Sequence, residues 1–387
     1  MSDYSSQFES LTVDDLRRRG TVKWNYFEPE VLALWIAEMD FPTAPPVLSA
    51  IQDAVRREEF GYPRMPMPRE LAEAAAGWSL TRYGWPVNAQ RVHLLPDVLR
   101  GIEVALDHFS PADSAVVVPT PAYMPFFDIP TFVSRPVAEV PMLSDSGRYG
   151  FDLEGIDAAF AAGASTLILC QPHNPLGRSF GRDDLLALCE VVARNGARVI
   201  SDEIHAPLVY GGRHVPYASI SADAAAHTIT LTSAAKGWNL SGLGCAMAII
   251  SNDEDEEKWQ KISPMRTQGA STIGIAANTA AFRDGAAWLD ELLTYLDKNR
   301  KLLVELLAEH IPQVRYTAPE GTYLAWLDFR DLNLPQEPAP YFLRMSRVAM
   351  NPGAAFGANG AGFARLNFAT TSSVLEQAIK AMARAVR

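Results

Sequence analysis

The 387-residue sequence holds only three cysteines, Cys170, Cys189 and Cys245, an odd number with no CxxC pairing. That excludes a disulfide framework and fits a reducing compartment. Cys170 and Cys245 lie in or beside apolar runs and read as buried small hydrophobes. No apolar run approaches the length of a membrane span, and residues 1–10 are polar with no signal-peptide core. No membrane contact is therefore expected, and the cytoplasm is the expected compartment. Basic runs are also missing, and a formal net charge of −11 argues against a nucleic-acid surface. The one block of like charge, 253–257, reads as a solvated turn entering a helix. A nicotinamide fingerprint is absent, because Gly242-x-Gly244 lacks the third glycine and the acidic partner. Asp202, Glu203, His205 and His214 follow no metal-ligand spacing, so no metal site is expected. There is no internal repeat and no low-complexity linker.

What is present is an ordinary globular composition on a chain longer than one hydrophobic core normally organises, which implies two closely associated domains. From about residue 70, helix-period and strand-period segments alternate, as in an α/β protein with a mostly parallel central sheet flanked by helices. Helices are expected at 71–83, at 98–108 behind the N-cap Asp97, and at 183–194 before Asn195-Gly196. Strands are expected at 115–118, 166–170, 198–204, 228–232 and 245–250. The last third changes character. A long helix over 286–310, strands at 322–328 and 363–368, and an amphipathic helix at 373–386 read as a smaller α+β domain. The division expected is 1–48 as an N-terminal arm belonging partly to the small domain, 49–285 as the large domain, and 286–387 as the small one.

Open parallel sheets bind ligands beyond the carboxyl ends of their strands. Here those positions hold Tyr123, Asn174, Asp202 with His205, and Ser233 with Lys236. Singly, each has an ordinary reading as a surface, turn or core residue. Jointly, they supply every role around a pyridoxal phosphate ring. Lys236 can form an imine with an aldehyde if it is partly desolvated. An aspartate against the pyridine nitrogen keeps that nitrogen protonated, which makes the ring an electron sink, and Asp202 is placed to do so. Asn174 can donate to the phenolate oxygen, as could His205, and Tyr123 can lie over the ring face as a second candidate catalytic side chain. The phosphate would take the free N–H groups of Val98 and Leu99 at a helix N-terminus, with the Ser233 hydroxyl.

Asn174-Pro175-Leu176-Gly177, Ser201-Asp202-Glu203-Ile204-His205 and Ser233-Ala234-Ala235-Lys236 stand in this order. Together with Trp35–Pro45, Phe60-Gly61-Tyr62, Lys236-Gly237-Trp238-Asn239-Leu240, Pro319–Trp326 and Asn351–Gly357, they resemble the fold-type I pyridoxal-phosphate enzymes of aminotransferase class I/II. Within that class the likeness is to the cystathionine β-lyase-like C–S lyases of the MalY/PatB group, from about residue 20 to the C-terminus. The resemblance implies that Arg365 grips the substrate α-carboxylate through a bidentate fork. It implies that Ala37-Glu38 offers a backbone N–H to the same carboxylate, beside Asn174. It also implies that Tyr62 reaches the cofactor phosphate of a neighbouring subunit, hence a homodimer with shared sites. In place of the arginine that many aminotransferases carry after the lysine, Leu240–Ala248 has none, as in the lyase group.

The function this implies is α,β-elimination on cystathionine or a related cysteine S-conjugate, giving a thiol, pyruvate and ammonia, with the freed amine of Lys236 as general base. Transamination between an amino acid and a 2-oxo acid uses the same residues and stays open at this stage.

Overall fold

The computed structural model describes residues 4–387. Its centre is a seven-stranded sheet in the order Val92–Leu95, Ala246–Ile250, Thr228–Thr232, Arg198–Asp202, Ala164–Cys170, Ala115–Thr120, Val137–Pro141. Ala246–Ile250 runs antiparallel to both neighbours, and the other six strands point one way. The inner strands read as near-continuous Val, Ile and Leu because both faces are covered. Successive side chains then serve opposite layers. Val116 and Val118 pack with Ile102, Leu106 and Leu231 under the Val98–Phe109 helix, whereas Val117 and Leu167 pack with Leu185, Leu188 and Val192 of the Arg182–Arg194 helix. The expected α/β architecture with a mostly parallel sheet is therefore present.

A separate four-stranded antiparallel sheet joins Arg315–Tyr316, Leu324–Asp328, Phe363–Asn367 and Asn351–Pro352. The Ala286–His310 and Ser372–Ala385 helices pack together, and Val374, Leu375, Ala378, Ile379 and Met382 are all buried, as their spacing requires. The N-terminal arm joins the same core. Phe8 stacks edge-on against Trp288 and Tyr295, and Leu32–Ala33 pairs in parallel with Val348–Ala349.

Several boundaries differ from those expected. The 71–83 helix starts earlier, at Pro66, and its α-helical part stops at Trp78. Ser79–Tyr83 then forms a π-turn closed by Gly84 at φ 71°, a conformation glycine adopts without a Cβ penalty. The acidic block forms the first turn of the helix itself, solvated as expected at Asp253 and Glu254. Asn252 caps Asp253–Trp259, where carboxylates face the positive end of the helix dipole, and Asp255 is buried against Arg198. The strand expected over 198–204 ends at Asp202, which frees residues 203–208 to turn across the sheet edge. Val92–Leu95 and Val137–Pro141 were not anticipated. They are the two outermost strands, and their apolar patterning is correspondingly weak.

Candidate active site

Because six strands share one direction, their carboxyl ends open on one side, and a cleft of about 380 Å³ lies there. Its walls include Tyr123, Asn174, Asp202 with His205, and Ser233 with Lys236, which stand at or just beyond the carboxyl ends of four different strands, together with Val98 and Leu99. The arm contributes Trp35 to Glu38, and the small sheet contributes Asn351 and Arg365. Residues more than 300 positions apart in sequence thus meet in one cavity.

Lys236 Nζ donates to the carbonyl of Ala37 at 2.8 Å and lies 3.4 Å from Ser241 Oγ. Burial, reinforced by the positive charge of Arg365 and opposed by Asp202 and Glu38, lowers its pKa to about 8. That makes the neutral, nucleophilic amine accessible near physiological pH. Asp202 is buried at the end of its strand, with Oδ1 accepting from the Ile204 amide at 3.1 Å. Desolvation raises its carboxyl to about 7, opposed by that hydrogen bond and by Lys236. A cation brought to this carboxyl would favour its ionised form. Burial drives the other way at His205, whose pKa falls well below the ordinary imidazole value, and its Nδ1 has no hydrogen-bond partner.

The Val98–Phe109 helix aims its N-terminus at the cleft. Asp97 caps it by accepting from the Arg100 amide at 2.8 Å, while the amides of Val98 and Leu99 are left without a partner among the described residues. Two free N–H groups at the positive end of a helix dipole form an anion site. Gly101 lets this helix lie close on the sheet, since a Cβ there would come within 2.7 Å of Leu231.

Arg365 is buried and meets only neutral acceptors: Asn174 Oδ1 at 2.9 Å, the Trp35 carbonyl at 3.0 Å and Asn351 Oδ1 at 3.0 Å. Its guanidinium lies 5.0 Å from the Phe356 ring, and Nε has no partner. Burial lowers its pKa to about 10, still cationic at neutral pH. A desolvated guanidinium without a carboxylate among the described residues is a ready receptor for one from a ligand.

Asn174 engages Arg365 through Oδ1, which leaves the amide nitrogen as its donor end. Tyr123 lines the cleft with its phenol pKa raised by burial. Ser233 also lines it, but its hydroxyl donates to the Cys245 carbonyl at 2.7 Å and accepts from the Ala235 amide, so the phosphate contact expected of it would need that bond to break. Of the Ala37-Glu38 pair, the Glu38 N–H is taken by the Ile36 carbonyl at 2.9 Å, whereas the Ala37 N–H has no partner among the described residues. The carboxylate donor expected here is therefore Ala37. Tyr62 is fully exposed and lies outside this cleft, along a groove with Phe60, Leu243 and Thr272.

Sequence reasoning did not single out Asn351, which orients Arg365, or Tyr323, whose hydroxyl donates to the Ala37 carbonyl at 3.0 Å. Both stand within motifs that carried the resemblance, yet neither has a chemical signature of its own. No group of acidic, histidine or cysteine side chains able to hold a metal occurs among the described residues. The donor set fits pyridoxal phosphate. The free Val98 and Leu99 amides suit its phosphate, Asp202 its ring nitrogen, the Asn174 amide its ring oxygen, and Lys236 its aldehyde.

Comparison with known proteins agrees with this geometry. Residues 29–382 match the family described as aminotransferase class I and II. Over 96% of this chain and 98% of the relative, the sequence is 40% identical to a cystathionine β-lyase of Corynebacterium glutamicum. A Corynebacterium diphtheriae structure, described provisionally as a PLP-dependent β-cystathionase, superposes with a TM-score of 0.93 at 44% identity, covering 97% of this chain and 98% of that one. The PLP-bound C–S lyase of Staphylococcus hominis superposes at 0.90 with 25% identity, over 98% of each chain.

Proposed function

From the premise that this chain belongs to the aminotransferase class I and II family, we propose that its cleft is the active site of a pyridoxal-phosphate-dependent C–S β-lyase. It cleaves cystathionine or a related cysteine S-conjugate to a thiol, pyruvate and ammonia. The observation that carries this reading is the pairing, in one cleft, of an amine poised near neutrality with a buried arginine lacking any carboxylate. Those are the two groups an α-amino acid needs, and the reading as a β-lyase is supported by a relative 40% identical over 98% of its length that is named cystathionine β-lyase.

Bound pyridoxal phosphate supplies an electron sink that stabilises negative charge at the substrate Cα. The chain supplies the rest. The Val98 and Leu99 amides would hold the cofactor phosphate, and Asp202 would keep the ring nitrogen protonated. Arg365, aided by Asn174 and the Ala37 N–H, fixes the substrate carboxylate and so orients the Cα–H bond. The free amine of Lys236 takes the Cα proton. The electron pair left behind forms the Cα–Cβ double bond as the Cβ–S bond breaks, and the thiolate leaves with the sulfur pair. Water then converts the released aminoacrylate to pyruvate and ammonia.

Three further features belong to the same reading. The protein is a homodimer whose sites are shared through Tyr62. It works in the cytoplasm, consistent with the absence of any helix long and apolar enough to cross a membrane among the described residues. Its large domain spans 49–285, with the small one formed by 286–387 and part of 1–48. Incubation with cystathionine and with cystine, assaying pyruvate with and without an added 2-oxo acid, tests the reaction. Pyruvate should form at equal rates in both. Turnover that demands the 2-oxo acid would make the enzyme an aminotransferase.

A further inference from the structure

The segment Trp35–Asp40 forms one wall of the cleft without belonging to any regular element, so something must hold it. Lys23 and Trp24 grip its far end. The buried Lys23 ammonium pairs with Asp40 at 2.9 Å and donates to the Glu38 carbonyl at 3.0 Å, and Trp24 Nε1 donates to Asp40 at 2.7 Å. Asn367 of the small sheet donates to the carbonyls of Ile36 and Glu38, both at 2.7 Å. Tyr323 donates to the Ala37 carbonyl, Arg365 to the Trp35 carbonyl and the Asp40 amide to the Ala369 carbonyl, and a further contact comes from the loop that carries the lysine. Asn239 Oδ1 accepts from the Met39 amide and Asn239 Nδ2 donates to the Met39 carbonyl, each at 2.9 Å. A two-ended amide contact of this kind fixes orientation as well as distance, whereas a single hydrogen bond leaves a pivot. Asn239 sits at φ 59°, a left-handed conformation that asparagine tolerates better than most residues, and this is the backbone turn from which its side chain spans the gap.

Lys236–Asn239 and Ala37–Met39 are therefore two rails joined by two rungs: Lys236 Nζ to the Ala37 carbonyl, and Asn239 to the Met39 backbone. The first rung is lost whenever the lysine amine engages a cofactor or a substrate proton. The second uses no reacting atom and persists throughout.

We propose that Asn239 is a positioning residue that keeps the lysine loop and the Ala37 segment in register. Its contact lets the Ala37 N–H meet the substrate carboxylate while the Ala37 carbonyl receives the released amine at the distance proton transfer needs. This rests on the reading of the cleft as a pyridoxal-phosphate site, but not on whether that site eliminates or transaminates, because both remove the Cα proton.

Asn239→Gly is the informative variant, since glycine accepts the same φ without strain and removes only the side chain. In the apoprotein, Met39 amide hydrogen exchange should be slow in the wild type and at least tenfold faster in the variant. In the loaded enzyme, with any amino acid that the wild type turns over, kcat should fall roughly ten- to a hundredfold and KM should rise severalfold at unchanged cofactor content. The kinetic isotope effect with the Cα-deuterated substrate should grow as proton transfer becomes more rate-limiting. A structural asparagine elsewhere, Asn299, which donates to the Phe368 and Thr370 carbonyls, provides the control. Asn299→Gly should lower stability with the isotope effect unchanged. Wild-type Met39 exchanging as fast as the unbonded Ala37 amide would overturn the clamp without any variant. An Asn239→Gly enzyme with wild-type KM and isotope effect would reduce the contact to scaffolding. If the wild type turns over no amino acid, the reading of the site fails instead, and the exchange result still decides the clamp.

Discussion

Asp202 and Lys236 share a cleft in which desolvation pushes each toward its neutral form, the carboxyl up to about 7 and the amine down to about 8. In the proposed site, the protonated ring nitrogen of the cofactor would be the partner of Asp202. Asp202→Ala should therefore lower turnover at least a hundredfold, while the melting temperature of the apoprotein stays within a few degrees of wild type, because a desolvated, uncompensated carboxylate contributes little to folding. Thermal unfolding of the apoprotein beside kcat of the loaded enzyme checks this; parallel losses would make Asp202 structural. Lys236 gives a pH prediction with a definite sign. Only the neutral amine attacks an aldehyde, so the rate of cofactor capture by the apoprotein should rise with pH through a midpoint near 8, against about 10.4 for an ordinary lysine. Stopped-flow absorbance from pH 6.5 to 9.5 measures it, and a rate still climbing steeply above pH 9.5 would contradict the depressed value.

The element that matters most is the Val98–Phe109 helix. Its amphipathic face is legible in the sequence, and so is Asp97 as its cap, since Asp97 precedes the first periodic apolar residue. Not legible was how closely it lies on the sheet, which depends on Gly101 facing Leu231 and Leu95. Gly101→Val should lift the helix and displace the Val98 and Leu99 amides. Overpacking of this kind typically costs about 1–3 kcal/mol. Cofactor affinity should then drop by roughly ten- to a hundredfold, measured by equilibrium titration of the apoprotein. Affinity equal to wild type would mean that the helix N-terminus does not hold the phosphate. The loop after Arg198–Asp202 teaches the converse. The apolar run invited a longer strand, but the Asp202-Glu203 turn was decided by partners remote in sequence. Glu203 accepts from the Tyr217 amide and pairs with His214, which draws the chain off the sheet.

At the scale of the whole molecule, the proposed sharing of sites turns on a tyrosine that lies outside its own chain's cleft. Tyr62 is fully exposed, and its sequence neighbours Phe60 and Met65 are 64% and 87% exposed. In the proposed dimer the Tyr62 hydroxyl reaches the partner's phosphate site. Mixing Tyr62→Phe subunits with Lys236→Ala subunits tests it. One site in each heterodimer would then combine a wild-type lysine with a wild-type tyrosine, so activity should recover above that of either variant alone. Mixtures no more active than the separate variants, or a monomer in solution, would end the shared-site reading.

The sequence by itself determined the alternation of helix and strand, the direction of the inner sheet and the identity of the residues at its carboxyl edge. Each of these follows from local periodicity and from single residue types with distinctive chemistry, such as Lys236, Asp202 and Asn174. The tertiary structure alone decided which backbone amides stay free, that the Ser233 hydroxyl turns to Cys245, that Ala37 and not Glu38 keeps an open N–H, and that Asn239, Asn351 and Tyr323 brace the cleft. Hydrogen bonds between residues up to 286 positions apart settle those points. Such bonds depend on angstrom-scale approach between separate elements, and that approach is fixed by the packing of the entire core, which no local pattern encodes.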